Sequence, residues 1–262
     1  MLEEIKTLPP LPDSVVKIQE LCMKSDTNID ELSMVIERDP MLSANILKSV
    51  NSPLYGMSKE ISSIPKAIML FGIAMIRGFA TASAIKKTMT IDLTPYNTNI
   101  DGLTNVSSIQ SALVREWYRN VDKSMLPLLQ SGAFLMELGK LAGAINIIKS
   151  GKTQLFTAEI GQKGSSLEEI ERKYLGSRSY EISASMFEHW NFESALTDAL
   201  REISSPSTKN PYSQVLSVVA RAVNIQGIFT DEGLNEAFEL IHTFGLDKKT
   251  FSDAVRTIKF AE

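Results

Sequence analysis

Apolar residues recur every three or four positions along almost the whole chain, as in "VVKIQELCMK" at 15–24 and "PMLSANILKSV" at 40–50. Convincing two-residue alternation bounded by hairpin turns is absent, so the pattern predicts an all-α protein. Helix starts are marked by Asn28 with Glu31 and by Ser165 with Glu168, each spaced as a capping box, and by Asp39, a cap placed before the first-turn proline Pro40. Stops are as legible: Pro53 and Gly56 close the helix of 40–52, Gly72 punctuates the run at 64–71, and "SSPSTKNP" at 204–211 reads as a loop between helices.

The stretch "TMTIDLTPYNTNIDGLTN" at 88–105 loses helical periodicity and is rich in Thr, Asn and Asp. It divides the chain into an N-terminal helical lobe over 1–90, a connecting segment over 91–105 and a C-terminal helical lobe over 106–262. A second irregular stretch, 150–165, has room for one short helix near 154–160. No repeat of solenoid length stands out.

Length and composition then narrow the class. The 262 residues, 44% apolar and 22% charged, suffice for a sizeable core in a globular protein. A net charge of -4 argues against nucleic acid as partner, because the clearest basic clusters are the pairs Lys86-Lys87 and Lys248-Lys249, expected on solvated helix faces. The longest apolar run, "AIMLFGIAMI" at 67–76, is about half of the ~20 residues a membrane span requires, so no membrane association is expected. The single cysteine, Cys22, excludes an internal disulfide framework and reads as a buried structural thiol; with no secretory signal at the start, the reducing cytoplasm is the expected compartment.

Glycine-rich phosphate loops, paired-cysteine zinc spacings and calcium loops are all missing, so no metal and no cofactor is expected. The two histidines, His189 in "MFEHWNF" and His242 in "ELIHTFGLD", are read as a packed or hydrogen-bonded side chain and a helix C-terminal cation.

The most specific string is "ERDPMLSANILKSVNSPLYG" at 37–56, after "LPPLPDSVVKIQEL" at 8–21 and before "ISSIPKAIMLFGIAMIRGF" at 61–79. Local chemistry assigns scaffold roles: Asp39 accepts from free amides of the helix that Pro40 opens, Asn51 and Ser52 favour a helix exit, and Tyr55-Gly56 supply an anchor and a turn. A competing reading makes Asn51, Tyr55 and Arg77 a recognition surface. In this order the strings resemble the HDOD domain family, with Phe71 where the family pattern has leucine, and the likeness continues through "AFLMELGKL", "YLGSRSYEISASMFEHWNF" and "VVARAVN".

HDOD domains are similar in turn to the HD superfamily of metal-dependent phosphohydrolases, and that resemblance places Met136-Glu137 where those enzymes carry a His-Asp pair. The other ligand positions it implies fall at Ser107, Ser179, Ile203, Ser204 and Ala220, none an imidazole or carboxylate. A thioether is a soft ligand, ill suited to replace imidazole on a hard or borderline divalent ion. Glu137 is therefore expected to be a remnant, facing solvent or paired with Lys140, Lys123 or Arg115.

Three readings follow. The first is a non-enzymatic regulator of the bacterial cytoplasm which, having no companion domain in the chain, meets a signalling protein in trans; the resemblance implies links to motility and gene control. The second is a divergent metal-dependent phosphohydrolase acting on a nucleotide. The third is a small-molecule sensor whose old cleft is lined by Met136, Ser179 and Ser204.

Overall fold

The computed structural model describes residue 5 and residues 10–24, 26–88, 92–162, 164–207 and 209–260. The Leu8-Pro9 start of the first motif, and the expected lobe boundary at 90/91, lie outside them.

The first helices are α1 (Asp13–Cys22), α2 (Ile29–Glu37) and α3 (Pro40–Val50). Asp39 caps α3 as its chemistry predicts, its Oδ1 accepting from the amides of Met41 and Leu42, both at 3.1 Å. Asn28 accepts from the Asp30 amide at 2.8 Å, without a reciprocal bond from Glu31 among the described residues. After α3 a 3-10 turn, Pro53–Tyr55, ends at Gly56, whose φ of 59° is left-handed backbone that suits glycine.

The long helix α4 (Ile64–Thr88) packs against α1, α2 and α3, and also against α6 (Leu126–Leu135) farther along the chain. Gly72, at φ 78° and ψ 161°, breaks its helical geometry where the sequence placed a stop, and the chain resumes helix directly. Ile64–Thr88 and Leu126–Lys149 are long and apolar enough to cross a membrane, yet 67% and 83% of their apolar windows are buried inside the fold, so here they form core. An aromatic ladder runs through this core. Phe71 meets Tyr55 at 4.9 Å and Phe79 at 6.2 Å, and Phe79 meets Phe134 of α6 at 4.7 Å.

Two expectations about the connecting segment need correction. Residues 94–96 form a 3-10 turn, and α5 (Ile100–Tyr118) begins inside the segment drawn to 105. Asn99, counted as loop polarity, is the cap of α5, its Oδ1 accepting from the Gly102 amide at 2.9 Å. Tyr96 and Leu93 are buried at 2% exposure, so this segment contributes core.

After α6 come a 3-10 turn, Met136–Leu138, and α7 (Gly139–Lys149), then α8 (Thr153–Ile160), α9 (Leu167–Leu175), α10 (Ser179–His189), α11 (Ser194–Arg201) and α12 (Pro211–Ala222). The cap of α9 is Ser166, one residue later than predicted, its Oγ accepting from the Glu169 amide; the helix starts where Leu167 can enter the core. A two-stranded antiparallel hairpin, β1 (Val223–Asn224) with β2 (Gly227–Ile228), then precedes α13 (Asp231–Phe244) and α14 (Lys248–Lys259). Asn224 makes its turn by accepting from the amides of Gln226 and Gly227, a local pairing too short for any alternation to announce. The fold is otherwise all-α, as the periodicity predicts.

Candidate functional site

The turn between α6 and α7 carries Met136 and Glu137, and α10 holds it in place. Ser183 Oγ donates to the Met136 carbonyl and accepts from the Gly139 amide, each at 2.7 Å. A Cβ at Gly139 would lie 2.0 Å from the Ser179 carbonyl oxygen, so glycine is what lets the two backbones approach.

This docking turns Glu137 inward. Its side chain is 0% exposed, its Oε2 is 2.6 Å from the Lys140 Nζ, and its Oε1 accepts from Gln110 Nε2 at 2.8 Å and from the Tyr180 hydroxyl at 3.4 Å. The Lys140 ammonium, 1% exposed, also donates to Ser179 Oγ at 2.9 Å, approaches Glu171 Oε1 at 4.0 Å and sits 4.8 Å from the Tyr180 ring centroid. Glu171 Oε2 accepts from the Ser179 amide at 2.8 Å, and Gln110 Nε2 also donates to the Val223 carbonyl at 2.8 Å. The solvent-facing option for Glu137 is thereby overturned, and its base is Lys140, one helical turn along, rather than Lys123 or Arg115. Arg115 instead lies over the Phe71 ring at 5.0 Å.

Burial disfavours charge throughout the cluster. It opposes the Lys140 ammonium, but the Glu137 and Glu171 carboxylates outweigh it and hold the lysine above its ordinary value. Burial pushes Glu171 up, against Lys140 and the Ser179 donors, with the nearby Glu137 charge pushing the same way. The phenols of Tyr96 and Tyr180 are driven well up, first by burial and then by neighbouring carboxylates.

These residues do not fit a catalytic divalent metal, which needs several imidazole or carboxylate groups converging with an open position. The two carboxylates here flank an ammonium. Among the described residues no group of three or more His, Cys, Asp or Glu is placed to hold an ion.

The implied ligand positions scatter. Ser179 joins the cluster through Lys140, while Met136 contributes only its carbonyl to Ser183. Ser107 instead lines a cleft between α3, α4 and α5, and Gln110, one turn farther along α5, makes the contact to Glu137. Ala220 borders a separate polar cavity of about 300 Å³ beside the Arg221–Glu168 ion pair. Ile203 is buried, and neither it nor Ser204 bonds to the cluster. With Met136 and Ser179 both at 0% exposure, the cleft that the third reading places between them is closed.

The recognition-surface reading of the motif residues also yields to packing. Asn51 pairs in both directions with the Ile61 backbone at 2.8 Å, stapling the loop after α3. Tyr55 is buried at 5%, with its hydroxyl pushed up to about 12 chiefly by that burial. Arg77, 4% exposed, is paired with Glu193 at the start of α11 and stacked 4.8 Å from the Phe192 ring. Of these motif residues, Asp39 and Pro40 serve the α3 cap, Gly56 the turn, and Ser52 lines the cleft that Ser107 lines. His189 is exposed and its side chain makes no hydrogen bond among the described residues, so it is neither packed nor hydrogen-bonded as expected, and His242 sits exposed in the last turn of α13. Cys22 is half-buried, its thiol pushed up to about 12 by desolvation, which keeps it protonated and unreactive.

Sequence reasoning missed Gln110, Glu171 and Tyr180. Glu171 did carry a signal: four residues from both Leu167 and Leu175, it lies on the apolar face of α9.

The HDOD domain family model matches residues 8–206. Over 71 residues the chain is 30% identical to an uncharacterized protein of Treponema pallidum (strain Nichols), a match covering 27% of this chain and only 14% of that relative. Among solved structures, a proposed phosphohydrolase from Shewanella amazonensis superposes with a TM-score of 0.69 at 19% identity, over 99% of this chain and 93% of that one. An HDOD domain protein from Geobacter sulfurreducens gives 0.65 at 15% identity, over 100% and 97%. A virulence factor from Campylobacter jejuni gives 0.60 at 23%, over 99% and 96%. At such identities these likenesses establish a shared fold.

Proposed function

The chain belongs to the HDOD domain family, and on that premise we propose that it is a non-catalytic regulatory protein of bacterial signal transduction, meeting a signalling protein in trans in the cytoplasm. The observation that carries this reading is the Glu137–Lys140 pair. The one carboxylate at the implied ligand pair is engaged with an internal ammonium at 2.6 Å in a fully buried setting, which supports a non-catalytic role because a hydrolytic metal needs several anionic or imidazole groups free to converge on it. The surface supports contact work. Met23 and Met69, 57% and 66% exposed, border an apolar groove with Ile29, Ile68 and Ile73, and thioether side chains adapt readily to a partner.

The test combines catalysis with a cell phenotype. Purified protein incubated with manganese and nucleotide or aryl phosphate esters is expected to release no phosphate above the protein-free rate. In a deletion strain, Glu137→Gln expressed at the wild-type level is expected to restore the phenotype, whereas Met23→Glu/Met69→Glu is not. Phosphate release that Glu137→Gln abolishes, together with failed rescue by that variant, would favour the phosphohydrolase reading.

A further inference from the structure

The cleft that Ser107 and Ser52 line is assigned to nothing above. It measures about 340 Å³, at the lower end of the ~300–1,000 Å³ typical of small-molecule sites. Its floor is apolar, built from Leu54, Leu103, Leu138 and the edge-to-face pair Phe79 and Phe134. Its walls come from α3 and α4 on one side and α5 and α6 on the other, and the Asn45 amide bonds Ser83 at 2.8 Å to tie α3 to α4.

Two cations, Lys48 and Lys86, border this apolar space, and Asp101 is the one carboxylate among the described residues that line it. Neither lysine makes an ion pair or hydrogen bond among the described residues. Desolvation lowers the pKa of Lys86, Asp101 opposes that, and the Lys48 charge adds to the lowering, so the two ammonium groups feel each other. Each lysine sits in the last turn of its helix, where a cation complements the dipole. That role is served equally by a side chain directed to open water, yet both border the cleft.

We propose that this cleft binds a small amphipathic anion, its apolar body on the Phe79–Phe134 floor and one carboxylate or phosphate head between Lys48 and Lys86. A neutral ligand of the same shape would leave the two cations facing each other over apolar surface, whereas an anionic head relieves their repulsion and gains charge-assisted hydrogen bonds. Because the walls belong to segments from both halves of the chain, an occupied cleft clamps 40–88 against 100–138.

Calorimetric titration of the full chain with decanoate, decyl phosphate and decanol, each below its aggregation threshold, tests this. One anion or both should bind at a single site at least about tenfold more tightly than decanol, the difference of one charge-assisted contact; which anion binds identifies the head group. Added salt should weaken the anion and leave decanol unchanged. Lys48→Gln/Lys86→Gln, a change at exposed positions, should erase the preference for anions, and Ala82→Phe, which fills the cleft, should abolish binding. Equal affinity for decanol and the anions, no binding by any of the three, or an anion preference that survives the double lysine substitution would overturn the proposal.

Discussion

Lys140 is the residue on which the buried cluster turns. Removing one partner of a buried pair leaves an uncompensated charge at a cost of about 3–5 kcal/mol, whereas removing both is far milder. Lys140→Met should therefore lower the unfolding free energy by that amount in urea, and Glu137→Gln added to it should recover part of the loss; additive losses would mean the pair is not coupled. Glu171 supplies a pH signature. Its folded pKa lies above the ordinary 4.5, so the stability it contributes is fully present below about pH 4.5 and is lost as pH rises through the folded value. The stability of the wild type relative to Glu171→Gln should accordingly fall as pH is raised from about 4 to 8, and a relative stability that rises instead would show that the ionised form is the stabilised one. Lys140 as the partner of Glu137 was legible from its spacing of three residues. Gln110 and Tyr180 were not, because they come from helices far away in sequence and only tertiary packing brings them to Glu137.

At the scale of elements, local chemistry was the reliable guide. The Asp39 cap and the Gly56 and Gly72 breaks stand where side-chain and backbone chemistry placed them. The start of α5 did not, since the Thr, Asn and Asp that mark loops are also the residues that cap helices, and Asn99 does the latter. Asp39→Ala should cost about 0.5–2 kcal/mol with an unchanged denaturant slope, because two amides of α3 lose their acceptor; an unchanged midpoint would contradict the cap. Gly139→Ala addresses the turn that aims Glu137. Its Cβ would press on the Ser179 carbonyl at 2.0 Å, so the turn must move away from α10 at a cost of about 1–3 kcal/mol or more; wild-type stability in this variant would show that the approach is not tight.

For the whole molecule, helical periodicity and an ordered set of motifs conveyed the fold class and the family, because both are written in local patterns that packing preserves. The site was only half legible. Residue types at the implied ligand positions raised the expectation of a site without metal ligands, but not that an ammonium and a second carboxylate occupy the space behind Glu137, or that Ser107 faces a different cleft. In the proposed non-catalytic reading, that internal ion cluster has taken the place of a metal centre. Its most direct test is the metal content of the purified chain after equilibration with manganese, iron(II) and zinc, read by elemental analysis beside Glu137→Gln. No stoichiometric ion is expected in either protein, whereas about one tightly held ion per chain, lost in Glu137→Gln, would contradict the replacement of a metal centre by the ion cluster.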